Sequence, residues 1–401
     1  MSATPDSTAP PISELDPFSD EFLNDPYPGH HELRESGPAV WLPSHSVWAL
    51  ARHEYVAAAL KDPATFCSSA GVGLANLRTE DPWRPPSLLL EADPPEHGRA
   101  RRVVTRVLTP TVVRQLKVDF LSYARRLVDN LVTQGAFDAI ADLSETFVLR
   151  VFPDLVGLPT EGRDNLLAYG VMVFNGFGPR NRHFENAMAR AGEVSAWIGE
   201  HCYPDALTPG SLGVQIHEVA AAEGYSVDDA ARILRSFLSA GVDTTVHAIG
   251  NAVLCMAQHP QQWRRLRAEH SLARAALEEA IRFESPAQTF FRTTTRVVDI
   301  DGVTIPAGEK VLLFVGAANR DYRRWDEADN FDISRSAFGH LGFGVGIHAC
   351  VGQLLARLEG EVVLTALAER IETVRINGEI VRMLSNAVRG LEALPVAVTS
   401  A

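Results

Sequence analysis

The sequence contains few cysteines, few lysines and no long apolar run. Its four cysteines, Cys67, Cys202, Cys255 and Cys350, show neither a Cys-x-x-Cys pair nor the spacing of a zinc site, and we interpret the first three as buried thiols. Lysine occurs only at positions 61, 117 and 310, and the net charge of −13 argues against nucleic acid as a partner. No apolar stretch approaches the ~20 residues of a membrane-spanning helix. These absences argue against a paired-cysteine zinc protein, a nucleic-acid-binding protein and a membrane-spanning protein.

The N-terminal residues differ in composition from the rest of the chain. Residues 1–11 have neither a basic patch nor an apolar run, so we predict no signal peptide, no membrane anchor and a cytoplasmic location. We predict a disordered tail over residues 1–15. A length of 401 residues would allow two or three domains, but no linker, repeat or change of composition follows the tail. We therefore predict a single domain over residues 16–401.

The segment from residue 343 to residue 352 has the most distinctive pattern in the chain. It reads Phe-Gly-Val-Gly-Ile-His-Ala-Cys-Val-Gly and brings Cys350 to the start of a helix predicted over residues 351–371. The free amide groups and the dipole at a helix N-terminus stabilise a thiolate, which can then bind a metal. There are two other interpretations. A single cysteine is most often a buried apolar residue. The glycines also loosely fit a dinucleotide fingerprint, but residues 336–342 do not form the hydrophobic strand that must precede it.

Helical patterns dominate the remaining sequence. Strands predicted at residues 39–43, 47–51, 297–300 and 310–315 indicate a small β region beside a larger helical body. The longest predicted helix runs from Ser226, a good N-cap, to His259, which precedes a proline. Its middle reads Ala-Gly-Val-Asp-Thr-Thr over residues 240–245, and several of these residues are poor helix formers. This weak point indicates either a functional site or a tolerated contact between helices.

Two pairs of polar residues lie one helical turn apart. His97 and Arg101 share one face of a helix that starts after two prolines, and two cationic groups on one face suit an anion. The alternative is a solvated basic helix. Glu279 and Arg282 can form an ion pair on another helix. The alternative there is a surface pair, which would stabilise the protein little.

The cysteine segment closely resembles the haem-ligand loop of the cytochrome P-450 family in its phenylalanine, glycines, histidine and cysteine. The resemblance covers essentially the whole chain from about residue 16 and implies the mainly α-helical cytochrome P-450 fold with a small β region. It implies that haem b lies between the long central helix and the cysteine-loop helix, with its iron bound by the Cys350 thiolate. The implied catalytic pair that activates O2 is Asp243 and Thr244. The implied haem contacts are His97, Arg101, Arg292, Phe343, His348, Cys350 and Gly352, and the implied structural group is Glu279, Arg282 and Arg335.

A narrower resemblance concerns the substrate. Segments 83–87, 173–177, 234–241 and 285–292 look like those of the P-450 subgroup that oxidises para-substituted benzoic acids. That resemblance implies O-demethylation of 4-methoxybenzoate to 4-hydroxybenzoate and formaldehyde. Arginine and serine side chains suit the carboxylate, and apolar side chains suit the flat ring. The candidate substrate-binding residues are Arg84, Ser87, Leu90, Phe174, Phe177, Arg235, Ser236, Ala240, Ala287 and Phe290. Ala287 is smaller than we expect at its position, which would either admit larger para groups or shift which acid is preferred.

The sequence leaves several alternatives open. Arg84 has a second interpretation as a surface arginine paired with Glu80, Asp81 or Glu91. The substrate has two alternatives: a different aromatic or small hydrophobic acid, or none at all in a non-catalytic haem-thiolate binding protein. Such a binding protein would need Cys350 but not the acid and hydroxyl in the central helix. No segment suits flavin or an iron–sulfur cluster, so the resemblance implies that a [2Fe–2S] ferredoxin with an NADH-dependent reductase supplies electrons, and that O2 is a substrate.

Overall fold

Helices make up most of the fold. The computed structural model describes residues 10–401. The α-helices of this range are α1 (Asp20–Asn24), α2 (Tyr27–Ser36), α3 (His53–Lys61), α4 (Glu96–Val107), α5 (Pro110–Gln134), α6 (Thr146–Val156), α7 (Asp164–Asn175), α8 (Arg182–Ala187), α9 (Ala191–Glu200), α10 (Leu212–Ala222), α11 (Val227–Gly241), α12 (Asp243–Gln258), α13 (Pro260–Ala268), α14 (Ala273–Glu284), α15 (Val315–Asn319) and α16 (Gln353–Arg370). The strands are β1 (Val40–Leu42), β2 (Val47–Leu50), β3 (Phe66–Cys67), β4 (Ala136–Asp138), β5 (Thr289–Thr294), β6 (Val298–Ile300), β7 (Val303–Ile305), β8 (Lys310–Phe314), β9 (Ile371–Ile376), β10 (Val381–Leu384), β11 (Arg389–Ala393) and β12 (Pro395–Ser400).

The predicted small β region contains a five-stranded sheet. Its strand order is β1-β2-β8-β5-β3. β1 and β2 form an antiparallel hairpin, β8 runs parallel to β2, and β5 runs antiparallel to β8. Every residue of β8 is buried, as expected for a strand inside a sheet that is covered on both faces. The prediction of a helical body with a small β region is confirmed, and the sheet places Arg292 of β5 next to β8.

The long central helix is interrupted in its middle. One helix was expected over residues 226–259, but the structure divides this range into α11 and α12 at Val242 (φ −104°, ψ −67°). The hydroxyls of Thr244 and Thr245 donate to the carbonyls one turn earlier, at 2.9 and 3.3 Å. Such bonds compete with the helical hydrogen-bond ladder and bend helices. The helix predicted over residues 226–259 is therefore interrupted at Val242, and the break falls within the segment of poor helix formers that marked its weak point.

The C-terminal strands cover part of α12. β4, β12 and β9 form an antiparallel sheet, and β10 pairs with β11. On β11, the backbone of Gly390 lies against the ring of His247, where a Cβ atom would collide with that ring. The carbonyl of Arg389 accepts a hydrogen bond from Asn251 Nδ2 at 3.0 Å. The C-terminal strands β9–β12 were not predicted from the sequence pattern, yet β9 and β11 pack directly on the helix that carries Asp243.

The helix after the cysteine loop lies in the main apolar core. α16 packs against α5, α12 and α14, and Leu358, Val362 and Leu367 of α16 are buried there. The prediction placed this helix over residues 351–371, and the structure begins it at Gln353. Because the core fixes α16, it also fixes the position of the loop that precedes it.

The N-terminal prediction needs a correction. Residues 1–9 of the predicted disordered tail lie outside the described residues. Ile12 forms a parallel bridge with Trp41, Trp41 N donates to Pro11 O at 2.8 Å, and Ser13 N donates to Trp41 O at 3.1 Å. This part of the predicted tail is ordered because it extends the edge of the five-stranded sheet. None of the helices in residues 10–401 has the length and apolar character required to cross a bilayer.

A buried carboxyl group on α16 leads to a prediction about stability. Glu359 is 1% exposed, and burial raises its pKa well above the usual range, with a smaller opposing effect from Thr245. The folded protein therefore retains a proton that the unfolded chain releases above about pH 4.3. The unfolded state then binds fewer protons, so the free energy of unfolding falls as the pH rises. We expect Glu359→Gln to raise the melting temperature near neutral pH and to change it little near pH 4.

Thermal unfolding of both proteins over this pH range measures the effect. Glu193→Gln is the matched control, because Glu193 lies on the surface in an ion pair with Arg190. A difference in melting temperature that stays constant with pH would show that the carboxyl group is not protonated selectively in the folded state.

Candidate active site

The cysteine loop holds a half-buried sulfur at the N-terminus of α16. Gly346 has φ +78°, and a Cβ atom there would lie 2.6 Å from Leu60 O, so the loop approaches α3 more closely than a side chain allows. Cys350 N donates to Phe343 O at 2.7 Å, which closes the loop. Burial raises the pKa of the Cys350 thiol, and a hydrogen bond from the backbone of Gly352 opposes this rise. Backbone donors aimed at a sulfur support a metal-bound thiolate.

Four basic side chains converge beside this loop. The rings of His97 on α4 and His348 on the loop have their centroids 4.2 Å apart. Burial, together with the neighbouring Arg292 and His97, lowers the pKa of His348 to about 3. Burial also lowers the pKa of Arg292 to about 10 and that of Arg101 below its ordinary value. The structure thus brings together residues from α4, β5 and the cysteine loop, as the sequence analysis expected.

The composition of this cluster suits a ligand with two carboxylates. The acid that influences three of the four groups, Asp93, already accepts hydrogen bonds from Ser68 N and Ser69 N at 2.9 and 3.0 Å. His348 Nε2 is buried and has no hydrogen-bond partner in the described part of the chain. Buried donors of this kind require an acceptor. The two propionates of a haem would supply acceptors, and Cys350 would bind its iron, so the residues fit this cofactor.

The break between α11 and α12 places an acid beside a hydroxyl group. Asp243 is 3% exposed, and its Oδ1 lies 3.2 Å from Nε2 of His247. That contact lacks hydrogen-bond geometry, so both ring nitrogens of His247 have no hydrogen-bond partner within residues 10–401. The other carboxylate oxygen, Asp243 Oδ2, is also buried without a partner in this range. The half-buried hydroxyl of Thr244 donates to Ala240 O at 2.9 Å. A buried acid with an available oxygen, next to a hydroxyl, is suited to proton transfer.

A buried ion-pair group lies on α14. Glu279 and Arg282 are both 0% exposed, and Arg282 Nε and Nη2 each donate to the Glu279 carboxylate at 2.7 Å. Arg335 Nε donates to the same carboxylate at 3.2 Å. The surface interpretation of the Glu279–Arg282 pair is therefore wrong, since both side chains are fully buried.

On the cysteine loop, the ring of Phe343 stacks with the guanidinium of Arg357 at 4.3 Å.

The charge of Arg84 is already balanced. Its Nη1 and Nη2 lie 3.0 and 3.1 Å from the two carboxylate oxygens of Glu91, and the Arg84 side chain is 12% exposed. The pairing with Glu91 that we considered as an alternative is present, although it is mostly buried. Arg84 therefore does not supply net positive charge to a substrate by itself.

Two serines from distant segments meet beside Arg84. Ser87 Oγ and Ser236 Oγ lie 2.8 Å apart, and Ser87 Oγ also accepts a hydrogen bond from Leu90 N at 3.0 Å. Arg235 Nη2 donates to the carbonyl of Pro85 at 2.9 Å. Burial lowers the pKa of Arg235, and within residues 10–401 its guanidinium forms no ion pair with a carboxylate. The structure thus places Arg235 as an uncompensated cation next to a pair of hydroxyls.

Aromatic side chains form one apolar wall in the same region. The ring centroids of Phe174 and Phe177 are 5.7 Å apart, and those of Phe177 and Phe290 are 6.2 Å apart. Ala240 lies one turn before Thr244 in the interrupted helix. Ala287 pairs with Val388 in an isolated bridge and is half-buried. Of the apolar residues predicted for the substrate, Phe174 lies in α7, Ala240 in α11 and Phe290 in β5, whereas Leu90, Phe177 and Ala287 lie in the connecting segments.

Two residues of this region were missed by the sequence analysis. His247 follows Asp243 by four positions, and this spacing on a helix was the available signal. Lys310 is one of only three lysines and lies in an otherwise apolar strand, and this unusual position could have identified it from the sequence.

Comparisons with known proteins agree with this geometry. The model of the family described as Cytochrome P450 matches residues 214–383 of this chain. Cytochrome P450 CYP199A2 of Rhodopseudomonas palustris is 51% identical over 388 residues, which cover 96% of this chain and 94% of that protein. Vitamin D(3) 25-hydroxylase of Pseudonocardia autotrophica is 34% identical over 95% of this chain and 96% of its own length. The structure of cytochrome P450 CYP109Q5 from Chondromyces apiculatus superposes with a TM-score of 0.81 at 30% identity, covering 98% and 99% of the two chains.

The family assignment determines the cofactor and the reaction class. Members of this family contain haem b with an axial cysteine thiolate and act as monooxygenases. Cys350 precedes α16 and the cationic cluster lies beside it, while the acid and hydroxyl occur at the helix break. On identity, coverage and fold, this chain belongs to the cytochrome P450 family of haem-thiolate monooxygenases.

Proposed function

We propose that this chain is a cytoplasmic, single-domain monooxygenase of residues 16–401 that oxidises para-substituted benzoic acids. Its reference reaction is O-demethylation of 4-methoxybenzoate to 4-hydroxybenzoate and formaldehyde. The observation that carries the proposal is the meeting of Ser87, Ser236 and the uncompensated Arg235, next to an aromatic wall. A hydroxyl pair with a free cation suits a carboxylate, and the aromatic wall suits a benzene ring.

The charge balance around residues 85–87 supports an anionic ligand. Arg84 pairs with Glu91, and Arg232 pairs with Asp229 at 3.1 Å while donating to the carbonyl of Pro86 at 3.0 Å. Arg235 donates to the neighbouring Pro85 carbonyl and has no acid partner in the part of the chain that the structure describes. Three guanidinium groups therefore face two carboxylates, which leaves one positive charge. A monoanionic acid would neutralise it.

The aromatic wall orients the ring of such an acid. With its carboxylate at Ser87 and Ser236, the ring would extend along Phe177 and Phe290 towards Thr244. Anchoring at one end determines which carbon reaches the reactive centre, since positioning alone provides large rate differences. Half-buried Ala287 leaves more room than a branched side chain would, so the proposed site admits para groups larger than methoxy.

The chemistry of the site divides between cofactor and protein. When bound, the thiolate-ligated haem of this family supplies O2 activation and oxidation of a nearby C–H bond. The Thr244 hydroxyl, now bonded to Ala240 O, can turn to hold a proton on the substrate side of the helix break. Asp243, buried beside His247, can replace that proton. Hydroxylation of the methoxy carbon gives a hemiacetal, which breaks into a phenol and formaldehyde.

Electrons for the reaction must come from a separate protein. We propose a [2Fe–2S] ferredoxin that an NADH-dependent reductase reduces. Arg264 and Arg265 of α13 are exposed, although Arg265 already contacts Asp332 at 3.5 Å. Arg102 of α4 and Arg357 of α16, the helix after the cysteine loop, are paired with Glu223 and Glu278. The docking interaction therefore depends on few free arginines, and its rate would fall only modestly with ionic strength.

A spectral titration of the ferric protein tests the substrate class. Addition of 4-methoxybenzoate should shift the Soret band to the high-spin position, and 4-methoxytoluene, which has the same ring without the carboxylate, should not. No shift with the acid, in a protein whose reduced CO complex shows thiolate ligation, would remove the benzoate assignment and leave the monooxygenase. A larger shift with 4-ethylbenzoate or a bulkier acid would identify a different preferred para group.

The carboxylate site makes a prediction at the residue level. We expect Arg235→Met and Ser236→Ala each to weaken 4-methoxybenzoate binding by about tenfold, because the first removes the cation and the second removes a hydroxyl that can turn from Arg232 O, its present acceptor at 2.9 Å, to the carboxylate. The same titration measures the dissociation constant. Arg190→Met is the matched control, because Arg190 is exposed and pairs with Glu193 on the surface. Equal binding by Arg235→Met and the control would show that the substrate carboxylate lies elsewhere.

A further inference from the structure

A buried lysine on β8 holds a loop at the edge of the proposed substrate site. Lys310 is 8% exposed, and its Nζ donates to the carbonyls of Ala70, Gly71 and Gly73 at 3.1, 3.1 and 2.9 Å. An ammonium group has three donors, so these three carbonyls use its whole capacity. Burial lowers the pKa of Lys310 to about 8, which leaves it protonated at neutral pH. We call residues 70–74 the lysine-bound loop.

The lysine-bound loop also contacts Phe177, which belongs to the aromatic wall of the proposed site. Leu74 N donates to Phe177 O at 2.8 Å. A Cβ atom at Gly73 would lie 2.8 Å from Phe177 Cα and 3.0 Å from Phe177 O, so the two backbones touch. On the other side, Phe291 N donates to Val72 O at 2.9 Å, which ties the loop to β5. The loop is thus fixed between β5 and the backbone of Phe177.

These contacts connect Lys310 to the aromatic wall in two steps. Lys310 fixes the carbonyls of the lysine-bound loop, and the loop fixes the backbone of Phe177. The ring of Phe177 lies between Phe174 and Phe290, with centroid distances of 5.7 and 6.2 Å. A change in the loop therefore moves a ring that the proposed substrate would contact.

We propose that Lys310 is a positioning residue that determines the shape of the substrate site by fixing residues 70–74 against Phe177. It contacts neither substrate nor cofactor and acts only through the loop. The proposal rests on the proposed function in one respect, which is that Phe177 contacts the substrate. The requirement for three donors explains why a charged side chain occupies an otherwise apolar strand.

The chemistry of the contact predicts how substitutions behave. Methionine has a length similar to that of lysine but no donor, so Lys310→Met leaves three carbonyls without a partner. Arginine retains the charge, but the donors of its planar guanidinium cannot reach the three carbonyls from a single atom as the lysine ammonium does. Gly73→Ala leaves the lysine intact and instead pushes on Phe177. Lys117→Met is the matched control, because Lys117 forms an exposed pair with Glu361 at 2.6 Å.

The first measurement is substrate binding by the haem-loaded variants. We expect Lys310→Met and Gly73→Ala to weaken 4-methoxybenzoate binding by about tenfold, with the thiolate-ligated CO spectrum retained, since hydrogen bonds to charged groups have effects of this size. Lys310→Arg should lie between Lys310→Met and the wild type. Wild-type binding in Lys310→Met, even with a lower melting temperature, would overturn the proposal, because the lysine would then act on stability alone.

The second measurement does not depend on the substrate. Amide hydrogen exchange of residues 70–78 and 174–178 should accelerate together in Lys310→Met and stay unchanged in Lys117→Met. If wild-type protein shows no spectral shift with 4-methoxybenzoate, the proposed function fails, while this exchange still tests the link from Lys310 to Phe177. Faster exchange of residues 70–78 alone would break that link and overturn the inference.

Discussion

Glu279→Ala is expected to abolish the accumulation of folded, haem-loaded protein. The Glu279 carboxylate is fully buried and accepts three side-chain donors, two from Arg282 and one from Arg335. Its removal leaves the Arg282 guanidinium charged in the interior, which costs about 3–5 kcal/mol. Typical domains have a net stability of only ~5–15 kcal/mol, so this loss is a large fraction of the total. The haem absorbance of the purified soluble protein measures the effect.

Two variants define what this result means. Glu279→Gln keeps the shape and one acceptor, and we expect it to be damaging but less so than alanine. Glu193→Gln, at an exposed ion pair, should behave as the wild type. Normal haem content in Glu279→Ala would mean that the remaining carbonyl acceptors of Arg282, at Asn319, Ala328 and Asn330, are sufficient.

The second large effect concerns proton transfer at the helix break. We expect Asp243→Asn to lower the rate of substrate oxidation by about 100-fold, the size typical of losing a positioned acid. We expect Thr244→Ala to retain substrate binding but to divert most NADH electrons into hydrogen peroxide, because the hydroxyl that holds the proton is lost. Product formed, peroxide formed and NADH consumed are measured in the same reaction.

Neighbouring residues provide the controls for this experiment. Thr244→Ser keeps the hydroxyl and should keep most of the coupling between NADH and product. Thr245→Ser alters the next threonine, whose hydroxyl donates to Gly241 O, and should leave the coupling unchanged. An unchanged ratio of product to NADH in Thr244→Ala would remove this threonine from the proton path. Equal loss in Thr244→Ser and Thr244→Ala would indicate that the methyl group, not the hydroxyl, is required.

Local sequence patterns predicted the parts of the fold that depend on neighbouring residues. The cysteine loop, the helix after it and the helix starting near Pro95 follow from glycine placement and apolar periodicity. The poor helix formers at residues 240–245 marked where the central helix divides. The Glu279–Arg282 spacing predicted an ion pair, but its complete burial depends on tertiary packing that periodicity does not contain.

Contacts between distant segments were less accessible to the sequence. The pairing of Arg84 with Glu91 was only one of three alternatives, because spacing in a proline-rich loop does not determine direction. The meeting of Ser87 with Ser236, and of Lys310 with residues 70–73, spans 149 and about 240 positions. The C-terminal strands were also missed, and one of their pairings, that of β12 with β4, joins the two halves of the chain.

The packing of β11 on α12 has a consequence for biosynthesis. Gly390 covers His247, Arg389 holds Asn251, and β12 pairs with both β4 and β9. A ribosome must therefore release almost the whole chain before the helix that carries Asp243 acquires its final neighbours. On a nascent chain, the wall of the haem site that contains Asp243 would still lack these contacts. Insertion of the haem is therefore expected to follow translation. Pulse-labelled chains truncated before residue 389 should accordingly fail to retain haem, whereas full-length chains should load it after release.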